Sequence, residues 1–334
     1  MNHEPTKSET SKQRWPRAKR VLYAVVFLVS VSLVPYFYSR VCAPGNRIQT
    51  FNFGGGDTVV DSRESFDGQI RVVTFNIAHG RGATDDNWEE PGSAKFARIK
   101  KIATLIGDLD ADVVILNEVD FDATWSGRQN QAEAIAQQAG FPFRVEERNL
   151  DFALIYGSWR FGNAILSKYP ITNSTLLNLP DYAGWESWLA GCKRGVMCDV
   201  KPPGSSPIRV MGVHLSHRSE SLRTKSARMI LDLASQNAVP TIIAGDFNST
   251  PRGFPGSDQT TVNAMDTFAL SGLFRLWPNT PVTRDTMTYS STEPRSVIDW
   301  ILVTPECSVG SCRVIQSDLS DHRPVVCDIV VDFD

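Results

Sequence analysis

A chain of 334 residues with 42% hydrophobic and 10% aromatic content is long and apolar enough to bury a substantial core, as an ordinary folded protein does. Its net charge of −3 conceals an asymmetry: the first 40 residues hold seven Lys or Arg against two Glu, which leaves 27 basic and 35 acidic residues in the remainder. That acidic excess is the wrong sign for a non-specific nucleic-acid binder, although a carboxylate-rich metal site would supply part of it.

In chain order, residues 1–20 form a basic, polar head that reads as a disordered cytoplasmic tail. Residues 21–39, VLYAVVFLVSVSLVPYFYS, carry no charge, and at about 1.5 Å per residue such a run just spans a bilayer. Six basic residues before the run and one after it place the N-terminus in the cytoplasm and the main domain outside. Tyr36, Phe37 and Tyr38 sit near its end, where aromatic residues suit the membrane interface. The run is long for a cleaved signal peptide and no small-x-small site follows it, so the sequence favours a single-pass signal anchor. Residues 40–68, rich in Gly, Asp and Ser, read as a flexible tether, and residues 69–334 as the catalytic domain. The six cysteines suit an oxidising compartment. Cys307 and Cys312 flank a Ser-Val-Gly-Ser turn and are candidates for a bridge, while Cys327 in an apolar run reads as a buried thiol.

The main domain opens with a strand at 71–75 ending in Asn76, and a helix over 94–109 follows with Ile99, Ile102, Ile106 and Leu109 on one face. The apolar strand 112–116 terminates in Asn117-Glu118, and a second helix is expected over 128–139. Further strands are expected at 161–167, 195–200 and 208–215, then a helix at 219–236. The run Pro240-Thr-Ile-Ile-Ala-Gly-Asp246-Phe-Asn248 is a strand ending in two polar side chains that period-two alternation aims at one point. Strands at 300–303 and 324–331 close the domain. Alternating strands and helices with longer meander-like strands between them predict two packed sheets with helices outside.

The polar residues collect at strand ends: Asn76, Glu118, Asn163, His214, Asp246, Asn248, Asp299, Asp321 and His322. Each has a structural explanation of its own, as turn former, helix entry or satisfied core histidine. Asp299 fits such an explanation least, because a carboxylate in the apolar run Val297–Val303 costs several kcal/mol unless it is paired or ligates a metal. Oxygen ligands without a cysteine cluster point to Mg²⁺ or Mn²⁺ rather than zinc. Carboxylates, two histidines and a hard cation suit attack of water on a phosphate ester, with one histidine taking the proton. No nucleophile elbow suggests a covalent intermediate.

In this order, TFNIAHG, ILNEVD, GNAILSKYP, GVHLSH, AGDFNSTP, VIDWILV and SDHRPVV resemble the endonuclease/exonuclease/phosphatase superfamily. That superfamily includes deoxyribonuclease I-like enzymes, abasic-site endonucleases, neutral sphingomyelinases and inositol polyphosphate phosphatases. The resemblance covers roughly residues 70–331 and implies an α/β fold, a four-layer α/β sandwich with its active site at one edge of two mixed sheets. It makes Glu118 similar to the family's principal metal-binding glutamate and Asn76 to the asparagine that helps hold metal or phosphate. Asp246 and Asn248 match the GDxN pair, which binds a second metal or orients water and phosphate. Asp299 and His322 match the Asp-His dyad with His322 as general base, and Asp321 a further metal-site aspartate. His214 matches the second histidine of the deoxyribonuclease, sphingomyelinase and phosphatase branches, and the resemblance also implies that Asn163 and Arg194 contact phosphate.

The implied partners are a phosphate-ester substrate (lipid or head-group phosphate, with nucleic acid as the alternative) and a membrane reached through the N-terminal helix. No protein partner is inferred. His79 is not a general family residue, although a subset of bacterial and membrane-linked members has histidine nearby, and it is left without a role. The insertion 181–191 carries Trp185 and Trp188, which pack over the sheet edge or form a hydrophobic lip for a substrate.

Overall fold

The structure is a computed structural model that describes residues 16–42, 47–53, 66–154, 157–180, 191–192, 194–236, 239–257, 260–278 and 282–333. The tryptophans of the 181–191 insertion lie outside the described residues.

The first sheet is built around β2 (Gln69–Asn76) and β3 (Val113–Ala123), a parallel pair joined by α2 (Gly92–Asp108). Alternation along β2 and β3 sorts their side chains. Val72, Val113 and Ile115 point to the centre of the molecule, whereas Val73, Phe75, Val114 and Leu116 point outward. The outward set is covered by Ile99, Ile102 and Ile106 of α2 and by Ala132, Ile135 and Ala136 of α3 (Gln131–Ala139). Ile102 is fully buried there, and its truncation to alanine would cost about 2–5 kcal/mol. Antiparallel strands β4 (Phe143–Leu154), β5 (Gly157–Ser167), β12 (Cys307–Val314) and β13 (Val325–Val331) extend the sheet in the order β4-β5-β3-β2-β13-β12.

The second sheet repeats the plan. β8 (Ile208–His214) and β9 (Thr241–Asp246) run parallel, joined by α4 (Glu220–Ser235). β6 (Ile171–Asn178), β7 (Arg194–Val200), β10 (Arg275–Trp277) and β11 (Asp299–Val303) complete the order β10-β11-β9-β8-β7-β6. Helices α4 and α5 (Ala264–Ser271) cover its outer face through Ala227, Ile230, Met265 and Phe268. Between the sheets Val196, Val210, Ile242 and Ile301 meet Val72, Ile115 and Ile165. The result is the four-layer α/β sandwich of two mixed sheets expected from the sequence.

The structure departs from the sequence reading in two places. Within the segment taken as a tether, residues 48–52 form β1 (Ile48–Asn52), an edge strand paired antiparallel with β4. The Arg144 guanidinium lies over the rings of Phe51 and Phe53 at 4.1 and 4.5 Å, holding this edge down. The disulfide is Cys312–Cys327, not Cys307–Cys312. The supposed turn after Cys307 is continuous strand, and the β12–β13 register sets Cys312 directly opposite Cys327. Cys307 is buried, and burial pushes its thiol up to about 12.

Helix α1 (Arg17–Cys42) precedes the domain, and its stretch Arg17–Phe37 is long and apolar enough to cross a membrane, with a mean hydropathy of 1.9 and 6% of it buried. Near its end Tyr36 is buried against Phe152 of β4, with ring centroids 4.8 Å apart.

Candidate active site

Register alone assembles half of the site. The β8–β9 pairing sets His214 beside Asp246, and the β9–β11 pairing sets Asp299 on the other side of Asp246. Three polar side chains of one sheet therefore stand in a row at the same edge. In the other sheet Asn76, at the end of β2, is paired with Asn117 within β3. The two rows are stitched together: Asn76 Nδ2 donates to Asp246 Oδ2 at 3.1 Å, and the Asp246 backbone N–H donates to Asn117 Oδ1 at 2.9 Å.

Two backbone devices aim the carboxylates. Gly245 adopts φ +147°, and a Cβ there would collide with the Val213 carbonyl, so only glycine lets β9 lie this close to β8 before Asp246. Asp246 Oδ1 then accepts from the Asn248 backbone N–H at 2.8 Å, an Asx turn that leaves Asn248 at φ +49° with its side-chain amide on the Leu215 carbonyl. Glu118 sits at φ +52° inside β3, where the β3–β5 register shifts between Leu116 and Val119. A non-glycine residue in the left-handed region at a bulge costs about 1–3 kcal/mol, and here it turns the carboxylate out of the sheet into the site.

His322 reaches the row from the loop before β13. Its Nδ1 hydrogen-bonds Asp299 Oδ2 at 2.9 Å, while its Nε2 stands 3.8 Å from Asp246 Oδ2, too far for a direct hydrogen bond. Ser320 fixes that loop by donating to the Asn76 carbonyl at 2.7 Å. Thr288 Oγ1 accepts from the Asp299 N–H at 3.1 Å. Burial alone would lower the His322 pKa, but Asp299 and Asp246 outweigh it and raise it to about 10. Burial, reinforced by Asp299, raises Asp246 to about 7 against the opposing pull of His322.

His214 Nε2 lies 3.6 Å from Asp246 Oδ2 and 3.9 Å from Glu118 Oε1. On the far side of Glu118, Arg81 bridges two carboxylates: Nη1 to Glu118 Oε2 at 3.3 Å and Nη2 to Asp321 Oδ2 at 2.8 Å. His79 Nδ1 is bonded to Asp120 Oδ1 at 2.7 Å, and Trp125 Nε1 donates to the other Asp120 oxygen at 2.8 Å. The second His79 nitrogen lies 3.6 Å from Glu118 Oε2. Burial lowers the His79 pKa and the Asp120 and Glu118 charges outweigh it, so the net shift is upward.

The structure thus brings together Asn76, Glu118, His214, Asp246, Asn248, Asp299, Asp321 and His322. It does not bring Asn163 or Arg194 to the open site. Asn163 is fully buried, accepts from Asn117 Nδ2 at 2.8 Å and donates to Glu147 Oε2 at 2.7 Å, so its amide braces β3 against β4. The Arg194 guanidinium is turned into the protein and donates to the Arg148 and Asn149 carbonyls at 2.8 and 3.2 Å. Sequence reasoning missed Arg81, Asn117 and Ser320. Asn117 had a signal, since it directly precedes Glu118. Arg81 had only its place in a polar loop.

The donor set fits a hard divalent cation. Asp246, Asp299 and His322 offer ligand atoms within 4.8 Å of one another, and Asp299 Oδ1 is buried with no hydrogen-bond partner among the described residues. Glu118 and Asp321 add oxygens from the other side, joined by a single guanidinium.

Comparison with known proteins agrees with this fold. The family model described as Endonuclease/Exonuclease/phosphatase family matches residues 73–322. The uncharacterized protein YbhP of Escherichia coli K12 is 28% identical over 188 residues, covering 54% of this chain and 66% of its own length, just short of two thirds. An endonuclease/exonuclease/phosphatase structure from Beutenbergia cavernae superposes with a TM-score of 0.61 at 20% identity, over 79% of this chain and 72% of that one. A mannosyl-6-phosphatase from Bacteroides thetaiotaomicron gives 0.56 at 17% identity, over 78% and 99%. At these identities the structural likenesses establish the fold.

Proposed function

The chain belongs to the endonuclease/exonuclease/phosphatase family, and from that premise we propose that it is a membrane-anchored, Mg²⁺- or Mn²⁺-dependent hydrolase of a phosphate ester. The observation that carries the reading is the meeting of the His322–Asp299 pair with Asp246 at one edge of both sheets.

His322 acts as the base. Its Nδ1 is committed to Asp299, which fixes the ring's orientation and leaves Nε2 to take a proton from water. Asp299 is fully buried and holds the imidazolium charge that results. Glu118, Asp246 and Asp321, with Asn76, would hold the cation. When bound it neutralises charge on the phosphoryl oxygens and supplies the positive charge that brings His322 down into the range of a base. His214 faces the same space and donates to a phosphoryl oxygen, while Arg81 holds Glu118 and Asp321 together. Asn248 holds the turn that presents Asp246, and α1 anchors the domain outside the cytoplasm.

A nuclease would use the same residues. The acidic balance beyond residue 40, 35 acidic against 27 basic, disfavours a polyanion. The test is hydrolysis by the purified full chain of p-nitrophenyl phosphate, bis-p-nitrophenyl phosphate and plasmid DNA, with Mg²⁺, Mn²⁺ or chelator. Cation-dependent release of nitrophenol that His322→Ala abolishes is the expected result. Cation-dependent degradation of DNA alone would transfer the assignment to the nuclease.

A further inference from the structure

The aromatic side chains around the site form a series that starts on the anchor helix. Tyr36, at the outer end of the apolar stretch of α1, is 8% exposed and its ring meets Phe152 at 4.8 Å. Phe152 stacks on its cross-strand partner Trp159 at 5.1 Å. Trp159 and Phe161 stand two residues apart on β5 and pack with Tyr36, Leu150 and Phe152 in one cluster. Phe161 meets the His79 ring at 5.3 Å and Trp125 at 5.8 Å. Trp125 meets Trp88 at 6.0 Å, and Trp88 is 59% exposed. His79 in turn stands 3.6 Å from Glu118. Packed aromatic side chains, linked through the cluster that Trp159 and Phe161 share, therefore lead from the end of the membrane helix to His79 beside Glu118.

From this continuity, and resting on the phosphoesterase reading above, we propose that the rim carrying Trp88 lies in the head-group layer of the bilayer that α1 crosses, so that the site takes a phosphate ester carried by a membrane lipid. Two features support that occupant, and a third sets what apposition depends on. Tryptophan and tyrosine prefer the membrane–water interface, where an apolar ring and a polar edge are both satisfied, and this rim begins on a helix whose apolar run ends at that level. The packing of Tyr36 on Phe152 docks the domain on its anchor at β4, next to the strand that carries Phe161, so the site cannot stand far from the lipid surface. The acidic balance of the domain would not draw it to an anionic surface, so apposition depends on the anchor and the aromatic rim.

Trp88 belongs to neither the cation site nor the His322–Asp299 pair, and its exposure makes Trp88→Ser safe for folding. The full chain is reconstituted in phosphatidylcholine vesicles containing phosphatidic acid, and release of phosphorylcholine from the first lipid and of phosphate from the second is compared with hydrolysis of water-soluble bis-p-nitrophenyl phosphate by the same samples. The substitution should lower release from phosphatidylcholine or phosphatidic acid about tenfold, the scale of removing one large apolar side chain from the interface, and leave the soluble ester unaffected. In vesicles of bromine-tailed phosphatidylcholine, the quenched share of tryptophan emission should fall in Trp88→Ser. Equal loss on soluble and vesicle-borne esters, or unchanged quenching, overturns the placement. Degradation of DNA without release from either lipid overturns the substrate class. If Trp88 is quenched by lipid but no phosphate ester is hydrolysed, the surface stands and the phosphoesterase reading fails.

Discussion

Replacing Asp299 by asparagine removes one charge from a fully buried position without changing the shape of the side chain. Two consequences follow. Asp299 Oδ2 holds His322 Nδ1 at 2.9 Å, and a hydrogen bond to a charged group contributes about 1.5–3 kcal/mol, which is roughly ten- to 150-fold in rate. Mis-set orientation of the base adds to that, and the whole contribution of a positioned base is about 10²–10⁴-fold. We therefore expect kcat to fall about 10²–10³-fold with little change in KM. Stability should fall, because Asp299 is the main partner of the buried His322 imidazolium, and removing one member of a buried pair leaves the other without its counter-charge. The assay is cation-dependent hydrolysis of bis-p-nitrophenyl phosphate by the native chain, Asp299→Asn, His322→Ala and the double variant, with a thermal melt of each. If the pair acts as one unit, the double variant is no slower than His322→Ala. Multiplicative losses, or a drop of less than tenfold in Asp299→Asn with an unchanged melt, would refute the reasoning.

The raised pKa values set a pH dependence for the cation-free protein. Asp246 is raised from 3.8 to about 7 and His322 from 6.5 to about 10, so the folded state binds more protons than the unfolded chain across these windows. Stability from these groups is present at low pH and is lost as pH rises, through about 7 for Asp246 and about 10 for His322. Melts with chelator from weakly acid to alkaline pH should show this decline, Mg²⁺ should reverse it, and Mg²⁺ affinity measured by calorimetry should rise with pH as protons are released. Arg81 occupies Glu118 and Asp321 like a resident cation, so Arg81→Gln should tighten Mg²⁺ binding about tenfold while destabilising the cation-free protein. Unchanged or weaker Mg²⁺ binding would show that the guanidinium does not compete. Cys312→Ser should cost about 3 kcal/mol in denaturant unfolding, the entropy of a loop closed over 15 residues.

The layers and most of the site were legible because their signals are local. Apolar runs leading into Asn76, Glu118, His214 and Asp246 announce both the element and the polar residue that follows the run. The parts that sequence did not reveal depend on pairing between distant strands. Asn163 and Arg194 occupy strand positions like those of the residues that meet at the candidate site, but register turns them into the β3–β4 region, where carbonyls and Glu147 pair with them. Cys327 looked like a buried thiol until the β12–β13 register set it opposite Cys312. Arg81 and His79 come from a loop whose course depends on what they meet, Glu118, Asp321 and Asp120. The left-handed conformation of Glu118 also leaves no sequence mark, since glutamate seldom adopts it.

The central claim, water activated by His322 against a phosphate ester, is tested most directly by isotope transfer. The full chain with Mg²⁺ hydrolyses a phosphate ester in oxygen-18 water, and the phosphate-bearing product is analysed by mass after a single turnover. The account predicts one heavy oxygen on phosphorus in that product and none on the alcohol, with the reaction lost in His322→Ala. Heavy oxygen on the alcohol, an isolable phosphoryl-enzyme, or undiminished turnover in His322→Ala would contradict it.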